Sequence, residues 1–297
     1  MKVVLFAWCR TASLYLDALV ESGHAPLLVV TGPGAPAEAA LSRQGAPLER
    51  HARANEPGFV ARLSRTQPDL LLVAGWPEKL GAGVRGAAKL GAVNCHPSLL
   101  PRYRGRNPLF WSILNGEREV GITLHRVTGE LDAGPILLQR ALSVPGDATS
   151  ESLAEAVDRV GAELAVELVS GSLPGEREQD AQQATHFPPL RPEHGLVDWA
   201  DGAERLSRFV RACQGATLAH CFYAGMKLGV LAAHSEAAEG APGTVLDVGR
   251  EGMLVATADR ALRVERFLFV DRAHSATELA ERLDIAPGAR LTHNPAF

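Results

Sequence analysis

Three unbroken apolar runs constrain the fold most: KVVLFAW (2–8), APLLVV (25–30) and DLLLVAGW (69–76). None alternates polar with apolar residues, so each suits a strand buried on both faces of a sheet. Between the first two, TASLYLDALVESGH (11–24) reads as a helix, with Thr11 or Ser13 as its cap and Gly23 at its end. This β-α-β order implies an α/β fold, a Rossmann-like parallel sheet with right-handed crossovers. No G-x-G-x-x-G occurs at the first turn, which argues against a NAD enzyme. Residues 35–67 read as mostly helical, with His51 and Arg53 on a solvated face.

The chain has 297 residues, 46% of them hydrophobic, enough to bury a large core. No apolar run is long enough to span a bilayer, and residues 1–8 read as a first strand rather than a signal peptide. The cysteines Cys9, Cys95, Cys213 and Cys221 show no C-x-x-C spacing and fit thiols in a reducing cytosol, so a cytoplasmic protein is expected. The formal net charge of −4 argues against a general nucleic-acid binder. No H-E-x-x-H occurs, and His96 and His125 lack ligand spacing, so no metal is expected. His125 reads as strand packing or a polar contact on the substrate side.

The chemistry is concentrated between Val93 and Gln139. The short run AVNC ends at His96-Pro97, and a proline there biases His96 toward extended backbone. Asn94 and His96 are two apart, so on a strand they project from one face, at the carboxyl end where open α/β sheets place ligands. Cys95 points the other way, into packing. SLLPRYRGRNP (98–108) is punctuated by Pro101, Gly105 and Pro108 and reads as an ordered loop. A short helix follows, with Asn107 as N-cap and Pro108 at its first position. VGITLHRV and PILLQRAL then read as strands flanking the tight loop TGELDAGP, which carries Asp132. An amide, an imidazole and a carboxylate suit acyl transfer. Asn94 can donate to an oxyanion, His96 can take the nucleophile's proton, and Asp132 can orient His96 and stabilise its cation. No Ser or Cys sits in a nucleophile elbow, so the attacking group is expected to come from the substrate.

Taken singly, such residues are more often structural than catalytic; the whole string decides otherwise. NCHPSLLPRYRG (94–105), followed by LDAGPI (131–136), resembles the 10-formyltetrahydrofolate-dependent formyltransferases. The resemblance implies Asn94, His96 and Asp132 as the catalytic set, and a folate pocket on Trp76, Leu80, Val127, Asp132 and Ile136. The formyl donor would be 10-formyltetrahydrofolate, with no metal. PRYRGRNPLFW and GITLHRV look closest to the branch that formylates amino sugars, such as UDP-aminoarabinose formyltransferases. Arg102, Tyr103, Arg104 and Asn107 are then candidate substrate contacts, the arginines of this loop, Arg106 included, as partners of a nucleotide phosphate. Loop-stapling is the competing role for these arginines.

ATSESLAEAVDRVGAELAVELVSG (148–171) is the clearest helix, with Leu153, Ala156, Val157, Val160, Leu164 and Leu168 at a 3.6-residue period. The polar, proline-rich segment 174–195 reads as a linker, which in the family wraps back along the first domain. This gives a catalytic domain over 1–173 and a second domain over 196–297. The latter opens with a helix carrying Leu206, Phe209, Val210 and Cys213 on one face. Short strand-like runs follow, implying a small β-barrel, OB-like by the resemblance.

The acceptor is expected to be a small-molecule amine, a nucleotide-linked amino sugar first. Methionyl-tRNA is the main alternative. Against it stand three features: the scattered Arg43, Arg50 and Arg53 where those enzymes carry a lysine-rich insertion, CQGATLAHCFY (213–223) where a PWPGA-like stretch is usual, and the charge of the second domain. Residues 200–297 hold 11 Lys and Arg against 12 Asp and Glu, a net of −1. A hydroxyornithine-like or other natural-product amine, and a non-catalytic folate-binding protein, are further alternatives. Edges of the barrel can pair two copies as a homodimer.

Overall fold

The computed structural model describes residues 1–42, 46–51, 53–171 and 173–293; Arg43 lies outside them. The chain divides into two compact units, one of residues 1–108, 118–144 and 153–188, the other of residues 109–117, 145–152 and 189–297.

The first unit is built on a seven-stranded sheet. Its strands are β1 (Val3–Ala7), β2 (Leu28–Thr31), β3 (Leu48–Arg50), β4 (Leu70–Ala74), β5 (Ala92–His96), β7 (Glu119–Arg126) and β8 (Ile136–Ser143), with β6 (Arg104–Gly105) outside it. The order is β3-β2-β1-β4-β5-β7-β8. β1 to β5 pair in parallel, and β7 and β8 are added antiparallel. Every residue of β1 and β4 is buried, as unalternating apolar runs require. The unit's helices are α1 (Ser13–Glu21), α2 (Glu38–Leu41), α3 (Pro57–Arg65) and α4 (Ala82–Arg85); α5 (Pro108–Leu114) falls almost wholly in the second unit, and α6 (Ser150–Ser170) belongs to the first from Leu153 on. On one face of the sheet Val4, Phe6, Val30, Leu71, Val73 and Ala92 pack with Phe59 and Leu63 of α3.

Several expectations are corrected. Residues 35–67 contain the strand β3, which is short, lies at the sheet edge and carries Glu49 and Arg50, the manner in which sheets protect edges. His51 stacks on Phe59 with 4.5 Å between ring centroids instead of facing solvent. Thr11 does not cap α1; its hydroxyl donates to Asp158. Ala156 of α6 is exposed, and Asp158 takes a buried place where it accepts from the buried Tyr15 hydroxyl at 2.8 Å. Asn107 stands in the left-handed region at φ +56°, not in the extended geometry of an N-cap. Pro108 disfavours the right-handed helical region for its predecessor, and Asn tolerates the left-handed one.

The segment expected to be a linker returns along the first unit. Arg177 and Ile136 exchange both backbone hydrogen bonds, and β9 (His186–Phe187) pairs in parallel with β6.

The second unit holds α7 (Ala203–Cys213) with Leu206, Phe209, Val210 and Cys213 buried. Its antiparallel sheet comprises β10 (His220–Tyr223), β11 (Met226–Glu236), β12 (Val245–Gly249), β13 (Gly252–Ala256), β14 (Ala261–Phe269) and β15 (Arg272–Ser275), with α8 (Ala276–Leu283) after it. The strand order is β10-β11-β14-β13-β12, with β15 on β14. The expected barrel therefore is a six-stranded antiparallel sheet. A tail segment touches both of its edges: Ala289 accepts from the Val245 N–H, and Thr292 exchanges two bonds with Phe222.

Candidate active site

β5 positions the first two residues. It lies between β4 and β7, where Asn94 pairs with Val73 on one side and with His125 on the other. By the alternation of a strand, Asn94 and His96 share the face of Ala92, which belongs to the same apolar cluster as Trp76, Leu80 and Val127. Cys95 is buried on the other face, where burial pushes its thiol up.

The loop after β5 is fixed by its own hydroxyls. Ser98 Oγ donates to the Arg102 carbonyl at 2.8 Å, and Thr123 Oγ1 donates to the Ser98 carbonyl at 2.6 Å. Gln139 Nε2 donates to the Leu100 carbonyl at 2.9 Å. These bonds present the Tyr103 carbonyl to His96, whose Nε2 lies 2.9 Å away. A carbonyl only accepts, so Nε2 carries the proton and Nδ1 of the neutral ring keeps its lone pair. Nδ1 faces Asp132 Oδ2 at 3.7 Å. Two acceptors thus border one gap that fits a proton donor between them.

Asp132 is 8% exposed and sits at φ +52° in the loop between β7 and β8. Its Oδ2 accepts the Gly105 N–H at 2.9 Å. Gly105 has φ +105°, and a Cβ there would stand 2.4 Å from the Phe187 carbonyl oxygen, so only glycine brings that N–H to the carboxylate. Gln179 Nε2 donates to the carbonyls of Asp132 and Gly134 at 2.8 and 2.7 Å, and its Oε1 accepts from Arg104 Nε and Nη2 at 3.1 and 2.7 Å.

Burial raises the Asp132 pKa, but the neighbouring His96 and His125 and the Gly105 N–H together hold it well below the carboxylate range. For His96, burial dominates and lowers the pKa, with Asp132 pulling the other way. The two directions describe one resting state at neutral pH: an ionised carboxylate facing a neutral imidazole.

The profile of the formyl transferase family matches residues 20–169, and that of its C-terminal domain matches residues 189–282. A methionyl-tRNA formyltransferase of Roseiflexus castenholzii is 36% identical over 287 residues, covering 89% of this chain and 90% of the relative. The chain belongs to the formyl transferase family. Its fold is shared with HypX from Aquifex aeolicus, solved with tetrahydrofolic acid (TM-score 0.67, 20% identity). That match covers 97% of this chain but 48% of HypX, so the chain spans about half of that protein's length. An N-formyltransferase from Helicobacter canadensis, solved with folinic acid and dTDP-3-aminofucose, also shares the fold (TM-score 0.65, 13% identity, 89% of this chain and 98% of that one). Membership bears out the expectation of a formyltransferase that draws on 10-formyltetrahydrofolate.

The expected residues of this formyltransferase fall into two groups. Asn94, His96 and Asp132 come together, and Trp76, Leu80 and Val127 join one cluster on the face of Asn94. Ile136 is buried at the start of β8. The expected substrate contacts are mostly used otherwise. Arg104 is 5% exposed and spent on Gln179, because β6 turns its side chain inward. The Tyr103 ring stacks on Phe187 at 4.9 Å, and its backbone carbonyl is what meets His96. Arg102 lies over the Tyr103 ring, and Arg106 donates to the Pro77 carbonyl. Asn107 is exposed. Gln179 went unsuspected in the sequence because it lies in a segment that reads as a linker. His125 was open as packing or polar contact; it is 2% exposed, and its Nε2 is 3.2 Å from Asn94 Nδ2 and 3.6 Å from Asp132 Oδ1. Among the described residues no cluster of three or more His, Cys, Asp or Glu could hold a metal ion.

Proposed function

We propose that this chain transfers the formyl group of 10-formyltetrahydrofolate to a primary amine, with Asn94, His96 and Asp132 as its catalytic residues, and that the amine is that of methionyl-tRNA. The observation that carries the chemistry is His96 Nδ1 held 3.7 Å from Asp132 Oδ2 while its Nε2 lies 2.9 Å from the Tyr103 carbonyl. The folate supplies an activated formyl carbon and a nitrogen leaving group. His96 Nδ1 takes a proton from the amine as the new C–N bond forms, then returns it to the leaving nitrogen. Asp132 stabilises the imidazolium while it exists. Asn94 Nδ2 donates to the formyl oxygen as that oxygen gains charge.

The residues present fit a folate. Trp76, Leu80 and Val127 give an apolar wall on the face that carries Asn94 and His96. Among the described residues nothing accepts from the buried Trp76 Nε1, a donor available to a heterocycle.

This choice of acceptor is supported by the relative that is 36% identical over 89% of this chain, whereas the sugar N-formyltransferase shares only the fold. This reverses the order that the sequence suggested. A nucleotide-linked amino sugar is the second reading, favoured by the net of −1 over residues 200–297. The test is product mass after incubation with 10-formyltetrahydrofolate and, separately, charged initiator tRNA, nucleotide-linked amino sugars and hydroxyornithine-like amines. A formyl group on methionyl-tRNA supports the proposal. Formylation of a sugar or amino acid alone moves the acceptor to that class, and folate binding without turnover of any amine refutes catalysis.

A further inference from the structure

We infer that His125 is a positioning residue that fixes the amide of Asn94 with its NH2 group turned into the active site. The inference rests on the formyl-transfer reading, in which that NH2 group is the oxyanion donor.

His125 is the cross-strand partner of Asn94, so the two side chains lie on one face at the closest approach a sheet offers. The register on the other side of β7 is irregular. Leu124 pairs with Leu138 but His125 pairs with Ile136, which leaves Leu137 as an extra residue of β8. Bulges of this kind occur next to active sites, where they re-aim a side chain.

The tautomer follows from the neighbours. His125 Nδ1 lies 2.9 Å from the Arg126 carbonyl, which only accepts, so Nδ1 carries the proton. Nε2 is then an acceptor, 3.2 Å from Asn94 Nδ2. One Asn94 N–H is thereby committed to His125, and the other is left for the substrate. An Asn94 turned over by half a rotation would set its oxygen against the Nε2 lone pair, acceptor against acceptor, and would offer the substrate no donor. His125 and His96 are therefore opposite tautomers around one carboxylate, with Nδ1–H on the first and Nε2–H on the second.

Two measurements decide the matter. Imidazole nitrogen-15 NMR of the whole protein reads the tautomers directly and needs no activity; a protonated Nδ1 on His125 is expected, and a protonated Nε2 overturns the proposal. Kinetics then read the coupling. His125→Leu should lower kcat by about 10²-fold with folate KM within about twofold, and His125→Gln, whose amide oxygen can accept from Asn94, should recover part of the loss. In an Asn94→Ala background, His125→Leu should cost nothing further, since no amide remains to be held. An equal loss in both backgrounds, with no rescue by Gln, refutes the positioning role. An Asn94→Ala variant as fast as wild type would instead refute the oxyanion role on which the inference rests.

Discussion

Replacing Asp132 by Asn isolates the electrostatic half of the proposed mechanism. The substitution is isosteric, and the retained side-chain oxygen can keep the Gly105 N–H bond of 2.9 Å, so the loop should hold. What disappears is a negative charge 3.7 Å from His96 Nδ1. At an effective dielectric constant of about 20, a full charge pair at that distance is worth about 4 kcal/mol, or roughly three powers of ten in rate once His96 carries the transferred proton. With that oxygen kept at the Oδ2 position, the new NH2 group takes the place of Oδ1, which lies 3.6 Å from His125 Nε2 rather than beside the base. Asp132 raises the His96 pKa, so its loss should move the acid limb of the rate profile to lower pH. Single-turnover transfer at saturating acceptor, followed from pH 5 to 9, reads both effects. A loss of kcat below about tenfold, or an acid limb displaced upward, would refute the reasoning.

Other expectations follow from the same contacts. In the wild type, burial lowers the His96 pKa, so the acid limb of kcat/KM should lie below the usual ~6.5, and a limb above 7 would contradict the buried neutral imidazole. Stability should change in the same sense. A depressed histidine contributes stability above its unfolded value of ~6.5 that is lost as pH falls, and the depressed Asp132 contributes stability above ~3.9 that is lost on further acidification; urea unfolding across that range checks both. Gln179→Leu removes two donors from the Asp132 loop and the acceptor of a buried arginine, and should cost about 3 kcal/mol in urea unfolding and lower kcat. Two helix glycines should respond with opposite sign to alanine. Gly161→Ala places a Cβ 2.2 Å from the Tyr15 hydroxyl and should destabilise by about 1–3 kcal/mol, while Gly58→Ala meets nothing closer than 3.9 Å and should stabilise by up to about 1 kcal/mol.

Much of this was legible in the sequence. Runs without alternation gave β1, β2 and β4, since a strand buried on both faces has no polar side to show. Asn94 and His96 could be placed on one face because the period of a strand is two. The short β3 escaped because three residues with two charges carry no periodicity. Asp158 escaped because an apolar stripe hides a single buried carboxylate whose partners, Thr11 and Tyr15, are more than 140 positions away. The same holds for Arg104. Its charge suggested a phosphate, but the decisive partner, Gln179, is 75 residues further on, and only the return of the chain through β9 brings the two together. His125 could be read as inward-facing on β7, yet its tautomer depends on a contact with the Arg126 carbonyl that no spacing encodes.

The most direct test of the central claim is single-turnover transfer of an isotopically labelled formyl group from 10-formyltetrahydrofolate by the wild type and by His96→Gln, with folding and folate binding measured on the same preparations. The account predicts a labelled N-formyl amine from the wild type, and a folded, folate-binding variant slowed by at least about 10²-fold. Transfer by the variant at the wild-type rate would contradict the account, because the account assigns the amine proton to His96.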